Sequence, residues 1–93
     1  MGTWKTPKLK KLARALLSID SPKHMQMFLR DLCTLEELEE LSSRWEVVTL
    51  LDKGMSYRTI AEKTGVSTAT ITRIAHWLNS GENGYKEVLK KTP

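Results

Sequence analysis

The sequence has little cysteine and no long apolar run, and both shortages exclude classes of protein. Its 93 residues include one cysteine, Cys33, and two widely spaced histidines, so neither an internal disulfide nor a zinc site is expected. No apolar stretch approaches the roughly 20 residues that cross a bilayer, and no secretory signal is visible at the start. We therefore predict a cytoplasmic protein without a metal, and we place Cys33 in the core as a small buried residue.

Groups for catalysis and for phosphate binding are also missing. The sequence contains no serine, histidine and aspartate set for nucleophilic catalysis, no glycine-rich phosphate loop, and carboxylates that we assign to a solvated face. These absences predict a protein that is not an enzyme and that uses no cofactor. What is present is a balance of 40% apolar and 28% charged residues, which is typical of one folded domain.

The net charge of +4 is distributed unevenly. Residues 1–14, the basic arm, contain five basic side chains and no acid, whereas residues 34–46 contain five glutamates and a single basic residue, Arg44. We interpret the glutamates as a solvated helix face, because leucines interrupt them at helical spacing. The basic arm is compatible with three roles: a tail that touches DNA, a solvent-exposed helix, or a helix on a membrane surface.

Apolar residues recur at steps of three and four along most of the chain, and no strand pattern is present, so we predict an all-α fold. Pro7 suits the first turn of a helix over about residues 6–18, and a second helix is expected over about residues 22–33. We expect one domain over residues 1–93. Its parts are the basic arm with the first two helices, the core helices, a helix-turn-helix and a C-terminal helix, at residues 1–33, 34–54, 56–79 and 85–91.

Two capping boxes are predicted in the middle of the chain. Thr34 is followed three residues later by Glu37, and Ser43 is followed at the same spacing by Glu46. In this motif the hydroxyl and the carboxylate each accept a hydrogen bond from a backbone N–H at the start of a helix. We therefore expect one helix to begin at each box, the second ending at Gly54.

The segment after Gly54 has the pattern of a helix-turn-helix. Ser56 and Ser67 are predicted N-caps of its two helices, and Gly65 permits the positive φ of a tight turn between them. Ala61 is small where the helices cross, and apolar residues supply the core between them. Those core residues are Ile60, Val66, Ile71 and Ile74.

The second helix of this motif has a short, polar outer face that suits DNA. On a helical wheel Ile71, Ile74, Ala75 and Leu78 point inward, and Ala69, Thr72, Arg73 and His76 point outward, with Thr70 on the flank. Threonine hydroxyls bond bases or phosphates, methyl groups meet thymine, and arginine pairs with guanine or phosphate. We predict base-proximal contacts from Ala69, Thr70, Thr72 and Arg73, phosphate or base contacts from Arg58 and Thr68, and supporting caps from Ser56 and Ser67.

Several of these residues carry a resemblance to a known family. The matching features are Thr34-Leu35, Glu36-Glu37 and Leu41, then Ser43-Arg44, the stretch 53–58 and above all 69–73, Ala-Thr-Ile-Thr-Arg. Over about residues 34–91 the chain resembles the tryptophan repressor superfamily, more narrowly its branch of small tryptophan-repressor-like proteins. The resemblance implies a six-helix, interlocked homodimer with two helix-turn-helix heads that read a roughly palindromic DNA site. The apolar stripes of the first two helices are compatible with a dimer.

The same resemblance implies an effector pocket that is altered here. In the repressor the indole of tryptophan lies between two arginines, whose positions match Arg44 and Arg73. Where the ligand needs a glycine and a serine, this chain has Ile74 and Trp77, and both add bulk. We predict that Ile74, helped by Trp77, fills the pocket, so that no tryptophan is required. The alternative is that Trp77 is an aromatic of the core or of the dimer interface.

These observations predict a DNA-binding transcriptional regulator, specifically a repressor that acts by occluding its operator. Two other readings of the residues stay open. One is a helical homodimer that serves as a protein-interaction module, with its basic arm on acidic protein surfaces or membrane. The other is a subunit that binds DNA only beside a replication or polymerase partner. Salt-dependent binding to random duplex DNA would separate the regulator from the interaction module, because a protein that neutralises phosphates loses affinity steeply as salt increases. The accessory subunit would bind DNA weakly and without specificity on its own.

Overall fold

The computed structural model describes residues 3–92, which form helices and loops without a strand. This confirms the all-α prediction; Met1, Gly2 and Pro93 of the predicted domain lie outside the described residues. The backbone divides into two compact units, one ending at Leu38 and the other beginning at Glu39. Within residues 3–92 no helix is long and apolar enough to span a membrane. The six helices are α1 (Pro7–Leu17), α2 (Pro22–Leu32), α3 (Leu35–Asp52), α4 (Tyr57–Thr64), α5 (Thr68–Ser80) and α6 (Gly84–Lys91).

The first two helices begin in the same way, with a capping hydroxyl followed by proline. The side chain of Thr6 accepts a hydrogen bond from the backbone N–H of Leu9 at the start of α1. Ser21 does the same for the N–H of His24 at the start of α2. Proline stands next in both, where its fixed φ suits a first turn and its missing N–H costs nothing. Neither helix contains a buried residue, and all five basic side chains of the basic arm are exposed.

The first predicted capping box is confirmed. The N–H of Thr34 donates to Oε1 of Glu37 at 2.8 Å, and the N–H of Glu37 donates to Oγ1 of Thr34 at 3.1 Å. The prediction that Cys33 lies in the core is wrong, because Cys33 is half-buried. It directly follows Leu32, the last residue of α2, and its extended backbone, with φ −114° and ψ 151°, does not continue that helix.

The second predicted helix start, at Ser43, is wrong. Helix α3 continues without a break from Leu35 to Asp52, and the hydroxyl of Ser43 donates to Oε1 of Glu39, one turn back, at 3.2 Å. The residues before Ser43 explain the difference. Apart from Ser42 they are leucines and glutamates, which favour helix, and no glycine or proline stops the helix ahead of Ser43. One helix, α3, therefore replaces the two helices that the capping boxes at Thr34 and Ser43 predict.

The hydrophobic core lies in the unit that begins at Glu39. Its fully buried side chains come from α3, α4 and α5, and each stabilises the fold by about 1.5–3 kcal/mol relative to an exposed position. Helix α6 adds Tyr85, whose ring centre is 6.2 Å from that of Trp45 on α3. The core residues are Val47, Val48, Ile60, Ile71, Ile74 and Leu78.

Candidate nucleic-acid interface

Two serine caps and one glycine build the turn between α4 and α5. Oγ of Ser56 accepts from the N–H of Thr59 at 3.2 Å, and Oγ of Ser67 accepts from the N–H of Thr70 at the same distance. Between the helices Gly65 has φ +75°, a left-handed conformation that side chains with a Cβ rarely adopt. Only three residues therefore separate the end of α4 from the start of α5, as the sequence predicts.

Helix α5 has the two faces that the helical wheel predicts. Ile71, Ile74, Ala75 and Leu78 are buried, and they hold the helix against α3 and α4 within the core. The opposite face is exposed along the first three turns, with Thr70 half-buried on the flank. The exposed residues of that face are Thr68, Ala69, Thr72, Arg73 and His76.

The polar side chains on α5 are already hydrogen-bonded to each other and to the helix. Oγ1 of Thr72 donates to the carbonyl of Thr68 at 2.9 Å. Nη2 of Arg73 donates to Oγ1 of Thr70 at 3.1 Å. The first bond is the usual back-bond of threonine in a helix. The second connects two residues that we predicted as separate DNA contacts, and residue spacing alone does not distinguish such a pair from two independent side chains.

Arg58 lies on α4, where the sequence predicts a phosphate contact. Its side chain is 89% exposed and forms an ion pair with Glu62 one turn later, with Nε and Oε2 3.8 Å apart. Exposed ion pairs of this kind contribute about 0–1 kcal/mol. The guanidinium of Arg58 is therefore available to an anion that binds it more strongly.

An open cleft of about 240 Å³ separates the start of α3 in this unit from α5. Of the four residues predicted for an effector pocket, it gathers Arg44 and Ile74, while Arg73 and Trp77 are not among its described lining residues. Ile74 is 1% exposed and belongs to the core. Two glutamates that the sequence analysis assigned to a solvated face also line the cleft. The complete lining is Glu39, Glu40, Ser43, Arg44, Val66, Thr70 and Ile74.

Trp77 lies near this cleft but outside the core. The guanidinium carbon of Arg44 is 5.8 Å from the centre of the Trp77 ring, within the range of a cation–π interaction. The indole is 45% exposed. The interpretation of Trp77 as a core aromatic is therefore wrong, and its place in a dimer interface stays a prediction.

The described residues show no arrangement for metal binding, since no three or more histidine, cysteine, aspartate or glutamate side chains are grouped to hold an ion. The geometry instead defines an all-helical protein of the helix-turn-helix class, with a short polar face on the second helix of the motif.

Comparison with known proteins identifies the family within this class. The family model described as Trp repressor protein matches residues 7–93, and the chain belongs to this family.

Individual relatives agree with that assignment. YerC of Bacillus subtilis is 37% identical over 83 residues, covering 89% of this chain and 80% of YerC. A Trp operon repressor homolog of Chlamydia trachomatis serovar L2 is 36% identical over 83 residues, covering 84% of this chain and 88% of the homolog. The crystal structure of a TrpR-like protein from Eubacterium eligens superimposes with a TM-score of 0.87 at 41% identity, covering 94% of this chain and 90% of that one.

Membership of the family indicates the general type of function. The Trp repressor family consists of DNA-binding transcription regulators that are not enzymes and that usually dimerise. The resemblance drawn from residues 34–91 is thereby confirmed at the level of family and six-helix fold.

Proposed function

We propose that this protein is a sequence-specific DNA-binding regulator that represses transcription from the cytoplasm by occluding its operator. The observation that carries the proposal is the exposed face of α5, which we call the recognition helix. That face presents short side chains and one arginine, while its opposite face is buried in the core. A helix built in this way can enter a major groove closely enough for side chains to reach base edges.

The proposed DNA contacts divide into two sets by chemistry. Ala69, Thr70, Thr72 and Arg73 are the base-proximal set, with methyl groups for thymine and a guanidinium for guanine. Thr68, in the first turn, and Arg58, on α4, contact phosphate or bases from the rim. Ser56 and Ser67 support the site because they cap the two helices, and the N-terminus of the recognition helix favours an anion such as phosphate.

A homodimer would give this interface its symmetry. Helices α1 and α2 bury no residue, although both contain apolar stripes. Leu17 is 84% exposed, and Leu32 is 50% exposed. A second copy that covers these stripes would remove apolar surface from water. Two recognition helices related by a two-fold axis would then read a roughly palindromic operator with half-sites about one DNA turn apart.

The regulator does not require tryptophan. Ile74 is packed into the core beside the cleft, where a small residue would leave room for a ligand. Arg44, which the family resemblance assigns to an effector's indole, already faces an indole of this chain, that of Trp77. Both observations support a recognition helix that is held in place by the protein's own side chains, without a small-molecule effector.

A salt series with purified protein tests the proposal against its two alternatives. Binding to a random duplex is expected to weaken steeply as salt increases, because each neutralised phosphate releases counterions. A protein-interaction module would show no duplex binding at low salt. An accessory subunit would bind weakly and show no preference for any sequence.

Sedimentation of the same samples is expected to give twice the chain mass. A monomer at the concentration used for binding would contradict the proposed palindromic operator.

A further inference from the structure

The start of the recognition helix contains a continuous set of hydrogen bonds that ends on Arg73. The backbone N–H of Thr70 donates to Oγ of Ser67 at 3.2 Å, and that hydroxyl donates to Oγ1 of Thr70 at 3.0 Å. Nη2 of Arg73 donates to the same Oγ1 at 3.1 Å. One threonine oxygen thus accepts from both the helix cap and the guanidinium.

These bonds occupy both acceptor positions of the Thr70 hydroxyl. A threonine hydroxyl has one donor hydrogen and two acceptor lone pairs. With Ser67 and Arg73 occupying both acceptor positions, the hydroxyl of Thr70 can only donate to a further partner. Thr70 is also half-buried on the flank of the helix, whereas Arg73 is exposed. The arrangement favours contact of Arg73 with the ligand and support of Arg73 by Thr70.

Helix α4 contains the same cap without the arginine. Oγ of Ser56 donates to Oγ1 of Thr59 at 2.9 Å and accepts from the N–H of Thr59 at 3.2 Å. Three residues beyond Thr59 the chain has Glu62, which pairs with Arg58 instead. The two caps therefore differ in whether a guanidinium donates a hydrogen bond to the threonine hydroxyl. The cap of α4 is an internal control for the effect of that hydroxyl on an arginine in α5.

We infer that Thr70 is a positioning residue whose hydroxyl fixes the guanidinium of Arg73 in the orientation that reads a base. The inference rests on the proposed function of α5 as a recognition helix. An exposed arginine loses much rotamer freedom when it binds a base edge, and part of that loss is avoided when the free protein already holds the side chain. Arg73 pairs with guanine through two donors in a fixed fork, so its orientation determines which base it accepts.

The first test measures Arg73 in the protein without DNA. The order parameter of the Arg73 Nε–H bond, from NMR relaxation, is expected to exceed that of Arg58, which has only an exposed ion pair. In Thr70→Val, which keeps the side-chain shape, the value is expected to fall to that of Arg58. Thr70→Ser is expected to restore it, and Thr59→Val, which removes the matching hydroxyl from α4, is expected to leave Arg73 unchanged. Equal order in the native protein and Thr70→Val would overturn the inference.

The second test measures base preference. Duplexes selected from a random pool are expected to lose discrimination at the same operator position in Thr70→Val and in Arg73→Lys, by about tenfold, with Thr70→Ser within about twofold of the native protein. Loss of discrimination in Thr70→Val only at a position that Arg73→Lys leaves unaffected would show that Thr70 reads a base independently of Arg73 and would contradict the inference. If the native protein selects no consensus, the proposed function fails, while the NMR comparison still decides whether Thr70 orders Arg73.

Discussion

The guanidinium carbon of Arg44 on α3 lies 5.8 Å from the ring centre of Trp77 on the recognition helix, and this contact joins the two helices beside the cleft. Cation–π contacts contribute about 0.5–1 kcal/mol at exposed positions. The contact is formed entirely by the chain's own side chains. It therefore supplies a means of holding the recognition helix that does not depend on a ligand.

Replacing Trp77 by Ser is expected to lower the free energy of unfolding by about 0.5–1 kcal/mol, because the contact between α3 and α5 is lost. Urea unfolding measures the change. Trp4→Ser is a matched control, since Trp4 is also exposed and has the ammonium of the adjacent Lys5 at 5.5 Å from its ring centre. That contact joins no helices, so the control is expected to change stability by less than about 0.5 kcal/mol. Equal effects of the two substitutions would count against a role for Arg44 and Trp77 in holding the recognition helix.

Millimolar L-tryptophan is expected to leave both the melting temperature and the affinity for operator DNA unchanged. The reason is that Ile74 is packed in the core and Arg44 already faces an indole. A ligand that bound the folded state would raise the melting temperature by mass action. A rise of several degrees, or tighter operator binding, would show that the filled-pocket account is wrong.

Arg73→Ala is expected to weaken operator binding by about 1–3 kcal/mol, because one base-reading guanidinium is removed. Binding isotherms over a salt series give the value. Arg30→Ala is the control for net charge, because Arg30 is exposed and its guanidinium bonds only the carbonyl of Cys33 among the described contacts. A loss in Arg73→Ala no larger than that in Arg30→Ala would place Arg73 outside the interface.

Gly65→Ala is expected to destabilise the fold by about 1–2 kcal/mol, because an alanine at φ +75° brings its Cβ too near the following carbonyl. Beyond the two adjacent residues no atom lies within 4 Å of the added Cβ, so the local backbone conformation alone accounts for the cost. Thermal unfolding provides the measurement. Gly84→Ala, which also adds a Cβ in open space but in the first turn of α6, is expected to be neutral or stabilising. Loss of stability only in Gly84→Ala would refute this account of the turn.

The local parts of the fold follow from the sequence, because each depends on a few neighbouring residues. The capping box of Thr34 and Glu37, the positive φ of Gly65 and the buried stripe of the recognition helix are such features. Ser43 and Glu46 have the same spacing as the first box and yet lie inside α3. A cap needs the preceding chain to leave the helix, and the residues before Ser43 instead favour its continuation.

The parts of the site that join separate helices could not be read from the sequence. Arg44 and Trp77 meet only because α3 and α5 pack into the same core, and residue spacing along the chain does not predict that approach. The position of Glu39 and Glu40 in the lining of the cleft also depends on the packing of separate helices. Their spacing along the chain predicts only a solvated helix face. The bond from Arg73 to Thr70 is local, but residue type alone does not distinguish it from two side chains that each extend to solvent.

The most direct test of the central claim, that the recognition helix reads DNA sequence, is selection of bound duplexes from a random pool by the purified native protein. The account predicts a roughly palindromic consensus with half-sites about one helical turn apart. Retained duplexes without any shared sequence would contradict it.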